Sequence, residues 1–133
     1  MRFIVIAMTG LSLMAAPAMS KPPLRDMAVI DDALLDLGIA DQIRKNCPSI
    51  SARLLKAVTF VWDIKAQARA LGYSEAEIDA YVDSDAEKDR MRARGGAFFK
   101  ARGVDTSDPQ SYCALGRAEI QKSSRIGSLL KAK

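Results

Sequence analysis

Apolar residues recur at every third or fourth position through most of the chain, the period of helices with one buried side. From about Asp26 to Lys45 they fall at Met27, Ile30, Leu34, Leu37 and Ile43, with Gly38 a point of break or kink. Cys47-Pro48 ends this segment, because the residue before a proline avoids helical geometry. Ser49 or Ser51 then caps a helix running to about Leu71. Its stripe of Ile50, Leu54, Val58, Val61, Ile64, Ala68 and Leu71 predicts the central core helix, with Phe60 and Trp62 widening the buried face. Gly72 supplies the stop.

Polar signals set the remaining boundaries. Ser74 and Glu77 form a capping box ahead of Ile78, Tyr81 and Val82. A second box at Ser84 and Glu87 begins a new helix or continues the old one. That segment carries Met91, Ala97 and Phe98, admits a local break at Gly95-Gly96, and stops at Gly103. Asp108 caps the last helix and Pro109 takes its first position. This helix reaches at least Ser123 and at most Leu130, with a seam of mostly small residues at Cys113, Gly116, Ile120, Ser123 and Gly127. Strand signals are few and helical spacing dominates, so strands are not expected.

One apolar run does not belong to this pattern. Arg2 precedes Phe3 to Met14, followed by small residues at Ala15, Ala16, Ala18 and Ser20, the layout of a cleavable secretory signal. Cleavage is expected after Ala18 or Ser20, with Ser20 favoured because Lys21-Pro22-Pro23 then begins an extended mature chain. The run is shorter than the ~20 residues a spanning helix needs. The expectation is therefore a signal peptide over 1–20 and one helical domain over 21–133, not membrane-spanning once cleaved. The absence of an Arg-Arg pair favours the general secretory route over the twin-arginine one.

Composition sharpens the functional picture mainly by exclusion. The 133 residues include 20 basic and 16 acidic side chains and no histidine, a net charge of +4. Without the signal the excess is smaller still, which argues against a nucleic-acid partner. Two cysteines and no histidine rule out the usual zinc sites, a Cys-x-x-Cys-His haem attachment, a Ser-His-Asp triad and a Cys-His pair. No phosphate loop, dinucleotide fingerprint or nucleophile elbow is present. No cofactor, metal or catalytic residue is expected.

In an oxidising compartment an even cysteine count reads as a disulfide, and Cys47–Cys113 is the one internal pairing. Free thiols and an intermolecular bridge are the alternatives. The closed loop of roughly 65 residues corresponds to about 4 kcal/mol in the chain-entropy account. The resulting fold class is all-α, a bundle of four to six helices stapled by one disulfide.

Three charged features are candidates for more than solvation. Arg53 follows Cys47 by six residues and Glu119 follows Cys113 by six, so a bridge between the cysteines brings them toward each other as an ion pair. Lys88, Arg90, Arg92, Arg94, Lys100 and Arg102 make 88–102 basic, with only Asp89 opposing, whereas 75–87 holds six acids and no base. This basic stretch is either one side of a self-paired hairpin or a docking face for an anionic surface or an acidic envelope protein. The tail from Arg117 to Lys133, also basic, either folds onto the acidic first helix or meets a partner.

Three stretches carry a family likeness: Cys47-Pro48-Ser49-Ile50-Ser51-Ala52-Arg53; Gly72-Tyr73-Ser74 with Glu77-Ile78 and Tyr81-Val82; and Tyr112-Cys113 with Gly116, Glu119-Ile120, Ser123, Ile126-Gly127 and Leu129-Leu130. Together they resemble a family of small exported helical proteins of unknown function from alphaproteobacteria, notably the Rhodobacter group. The resemblance implies a Gram-negative periplasm and brings no activity with it.

Two functions of different class fit these readings. The first is a non-enzymatic interaction or accessory protein of the envelope, which calls for an exposed apolar patch. The second is a carrier of a small apolar ligand or lipid, with Trp62, Phe60, Tyr81 and Met91 lining a cavity between helices.

Overall fold

The computed structural model describes residues 20–133, so all but the last residue of the expected signal lies outside the described residues. A short 3₁₀ turn, Leu24–Asp26, leads into α1, Ala28–Asn46. Gly38 does not interrupt α1, which ends at Cys47-Pro48 as its sequence requires. Then follow β1 (Ile50–Ala52), α2 (Leu54–Ala70), α3 (Glu75–Asp83), α4 (Asp85–Ala101), α5 (Pro109–Gln121), α6 (Arg125–Ser128) and β2 (Leu130–Ala132). The class is all-α, and the six helices carry one small antiparallel strand pair.

The local caps explain most boundaries. Ser74 Oγ accepts from the Glu77 amide at 3.2 Å while the Glu77 carboxylate accepts from the Ser74 amide at 2.7 Å, closing the box ahead of α3. Ser84 caps a separate helix, α4, through the Glu87 amide at 3.3 Å. Asp108 accepts from Gln110 at 2.9 Å ahead of Pro109. Gly72 and Gly103 close α2 and α4 with φ of 91° and 71°, a conformation that disfavours any side chain. Gly95-Gly96 does not break α4.

The axis of the bundle is α1, not α2. Ile30, Asp31, Ala33, Ile39, Ala40 and Ile43 of α1 are buried. One core cluster gathers Leu24, Ile30, Ala33, Ile64, Ala68, Tyr73 and Ile78 at the first half of α1. The other gathers Ile39, Ile43, Ile50, Phe99, Tyr112 and Leu130 around the disulfide. Phe60 packs against both.

The expected central helix is therefore a covering helix. Only Ile64 and Ala68 of α2 are buried, because α2 packs on α1 along one side and no other of the described residues covers its Leu55–Trp62 side. Nor does Ser49 or Ser51 cap it. Residues 50–52 are a strand, α2 starts after Arg53 without a side-chain cap, and the Ser49 hydroxyl lies 3.2 Å from Cys47 Sγ.

Cys47 and Cys113 are joined as a disulfide, their Cα atoms 5.1 Å apart. It fastens the end of α1 to the first turns of α5. One turn on, a Cβ on Gly116 would stand 2.4 Å from Ile50 Cδ1 and 2.7 Å from Ile43 Cγ2, so α5 approaches by virtue of that glycine. The helix expected to be the last, α5, stops at Gln121, short of Ser123. Ser123 takes φ 50°, and the chain turns back into α6 and β2. β2 pairs with β1 (Ser51 opposite Lys131), and the Arg53 amide donates to Leu129 O at 2.8 Å. Arg125 reaches Asp36 on α1 at 2.5 Å, so the basic tail folds onto the acidic helix.

Candidate functional site

The structure separates the charged residues that the sequence groups together. Glu119 is buried on α5, where its carboxylate meets Lys122 Nζ at 2.7 Å, Arg102 Nη1 at 3.2 Å and the Ser124 hydroxyl. Burial raises its pKa, but the hydrogen bonds from Lys122 and Ser124 and the nearby positive charges outweigh this and hold it below the usual range. Arg53 is not among its partners, which corrects the expected Arg53–Glu119 pair. The disulfide does bring the two chain segments together. Beyond it, however, β1 leads the chain to Arg53 while Glu119 lies six residues up a helix, about 9 Å along its axis.

The basic stretch is not one free face. Arg90 and Arg94 turn inward to Asp31, a buried acid on α1. Arg94 also reaches Asp32 at 2.8 Å, and Arg90 Nε reaches Glu87 at 2.8 Å. Glu87 in turn pairs with Arg25, and Tyr81 donates its hydroxyl to Asp31 Oδ1. This network ties the 3₁₀ turn, α1, α3 and α4 together. Outside it, Lys88 lies 3.7 Å from Asp85, Arg92 pairs with Asp89, and the Arg102 guanidinium sits 4.5 Å from the centre of the Phe98 ring. Lys100 makes no ion pair among the described residues. The alternation of helical spacing with inward-facing acids on α1 sends alternate arginines to the interior.

The network is electrostatically closed. Burial raises the Asp31 pKa, but hydrogen bonds from Arg90 and Tyr81 and the charges of Arg90 and Arg94 bring it below the ordinary value. Burial and the adjoining Asp31 push the Tyr81 phenol well above its own. Among the described residues no buried side-chain polar atom lacks a partner. Asp31, Glu87 and Glu119 are thus all held ionised, the opposite of a carboxyl acid poised near neutral pH. Among the described residues no group of acids and cysteines is arranged to hold a metal ion.

Trp62, Phe60, Tyr81 and Met91 do not share a cavity. Trp62 is exposed, Phe60 lies between the two core clusters, and Tyr81 belongs to the Asp31 network. Only Met91 lines the groove between α1 and α4, a space of about 350 Å³ bordered by Ile39, Phe99, Tyr112 and three glycines, Gly38, Gly95 and Gly96. An added Cβ at any of the three would meet nothing within 4 Å, so packing within the chain does not call for glycine there.

The feature that stands out is the outer side of α2. Leu54 is 72% exposed, Leu55 87%, Val58 47% and Trp62 66%. They lie within little more than two turns of one another on one side of the helix. A shallow apolar hollow flanks them on each side, one lined by Leu54, Ala57, Val58, Val61 and Trp62. The other holds Leu55, Thr59 and Phe60 with Leu129 and the charged pair Lys56 and Asp63. The sequence stripe contains Leu54 and Val58 and has Trp62 at its flank, but it misses Leu55 and the side on which these residues lie, because spacing by three and four reports that a helix is amphipathic and not which neighbour covers it.

The model of a family of unknown function, DUF5333, matches residues 22–131. The chain belongs to this family. The match takes in the disulfide, the Asp31 network, all six helices and nearly all of the strand pair, so the DUF5333 unit and the folded unit coincide. No curated protein and no solved structure matches the chain.

Proposed function

We propose that this DUF5333 protein is an exported, non-enzymatic interaction protein of the Gram-negative envelope, and that the outer face of α2 is its docking surface. The observation that carries the reading is the exposure of Leu54, Leu55, Val58 and Trp62 side by side on one helix. Contiguous apolar surface of this kind marks a place where another macromolecule binds. Its content also fits an interface core, with a tryptophan among aliphatic residues and charges at the edge. The six basic residues of 88–102 contribute less to docking than their number suggests, since five are engaged with acids of the same chain.

Export is supported by two independent features. The N-terminal run has the charge, apolar stretch and small residues of a cleaved leader. The one disulfide belongs to an oxidising compartment. Among the described residues no helix is long and apolar enough to cross a membrane. The alphaproteobacterial origin implied by the sequence resemblance agrees with a periplasmic address.

A photo-crosslinking residue placed at Thr59, and in a control at Arg92, tests the docking surface in intact cells. The reading expects a discrete adduct from Thr59 that Trp62→Glu removes, and none from Arg92. Adducts from both positions, or from Arg92 alone, contradict it. The intact mass of the recovered chain tests export: it should begin at residue 19 or 21 and weigh two hydrogens less than the reduced form.

The groove between α1 and α4 favours a second reading, a site for a small apolar ligand. Its size is that of ordinary ligand pockets and its floor is kept open by Gly38, Gly95 and Gly96. A native mass spectrum of gently purified protein tests it. A bound small molecule at one per chain supports the reading, and a bare chain counts against it.

A further inference from the structure

The outer face of α2 is patterned as its own mate. Leu55 and Trp62 stand seven residues apart, two turns of helix, and both are largely exposed. Lys56 and Asp63 are also seven apart, one position over, so they form a second row beside the first. The structure places them in one hollow with Leu55 and Thr59, on one flank of the apolar stripe. Both are exposed, and neither makes an ion pair among the described residues.

When two copies of a helix pack antiparallel about a two-fold axis, each flank meets the same flank of the partner. The midpoint of the apolar row falls between Val58 and Thr59, and that of the charged row between Thr59 and Phe60. The two midpoints differ by one residue, about 1.5 Å along the helix. A single axis near Thr59 therefore sets Leu55 of each copy against the partner's Trp62, and Lys56 of each against the partner's Asp63. A parallel pair would instead turn the charged flank toward Ala57 and Val61, leaving Lys56 and Asp63 without a mate.

We propose that two copies of this chain associate through α2, antiparallel about a two-fold axis near Thr59, with the Lys56–Asp63 pairs made twice. The proposal rests on the reading of α2 as a docking surface and names its partner as a second copy. One helix pair covers less than a standard interface, so the association is of the weak, reversible class.

Charge exchange on the flank tests the pairing without touching the core. The K56D and D63K proteins are prepared separately, both substitutions being at exposed positions, and followed by sedimentation velocity from micromolar to about 1 mM protein. The wild-type chain should dimerise with rising concentration. Each variant alone should self-associate at least about tenfold more weakly, because like charges meet twice. An equimolar mixture of the two, and the K56D/D63K double variant, should regain dimerisation. A wild-type chain that stays monomeric to about 1 mM overturns the self-pairing. So does dimerisation in both single variants at wild-type strength. If self-pairing fails, the solvent quenching of Trp62 separates the two claims: a quenchable Trp62 leaves α2 as a surface for some other partner, and a shielded one removes the docking reading as well.

Discussion

Tyr81 on α3 donates its hydroxyl to Asp31 on α1, joining residues fifty positions apart at the point where Arg90 and Arg94 of α4 also converge. The contact makes Asp31 of α1 the common acceptor of donors from two other helices, α3 and α4. Its removal should be costly because the arginines would remain without their acceptor. Asp31→Asn is expected to lower the unfolding free energy by about 3 kcal/mol, at the low end for breaking a buried pair since both arginines keep some water. Tyr81→Phe, which removes one hydroxyl, should cost about 1 kcal/mol. Urea unfolding of the three proteins checks both values.

The same acid predicts the response to pH. The folded-state pKa values of Asp31 and Glu119 lie below their ordinary ones. Their contributions are therefore complete above the unfolded carboxyl range, about pH 4, and are lost as pH falls below it through the folded values. Stability should be level toward neutrality and should drop below about pH 4. In Asp31→Asn that acid drop should be smaller, measured as unfolding free energy at several pH values.

One substitution should act with opposite signs at two glycines. At Gly116 a Cβ would collide with Ile50 and Ile43, so Gly116→Ala should cost about 1–3 kcal/mol, as overpacking does. At Gly95 the space is open and the backbone helical, so Gly95→Ala should gain up to about 1 kcal/mol. Thermal melts of the two variants decide this. Loss of a bound ligand in the stabilised Gly95 variant would assign the groove its role.

Removing the disulfide by Cys47→Ala with Cys113→Ala should cost about 4 kcal/mol, by the entropy of the long loop it closes. The strand pair and the Gly116 contact lie beside it, so hydrogen exchange should increase first at β1, β2 and the start of α5.

What the sequence makes legible follows from the range of the forces involved. Capping at Ser74, Ser84 and Asp108 depends on residues two or three positions away; the starts after Ser74 and Asp108 are where the sequence puts them, and at Ser84, where the sequence admits a new helix or a continuation, a new helix begins. The strand pair escapes because each strand has only three residues, the brief alternation of Ser49 to Leu54 overlaps the helical spacing that starts at Ile50, and the partners lie far apart in the chain. The acidic run of α1 is plain to read, but the arginines that answer Asp31 come about sixty positions later. The Arg53–Glu119 pairing fails for a related reason: the disulfide fixes where two segments meet and not the path each takes afterwards. For α2, the apolar count suggests a core helix, whereas α1 already fills the centre and leaves the Leu55–Trp62 side uncovered.

Trp62 is the only tryptophan, so its fluorescence reports on the open apolar face of α2 without interference. In dilute, folded, disulfide-bonded protein its emission should be red-shifted and readily quenched by acrylamide, moving to the blue as a partner covers the face. A blue-shifted, quencher-resistant emission from the dilute monomer would contradict the open face and would return α2 to the core.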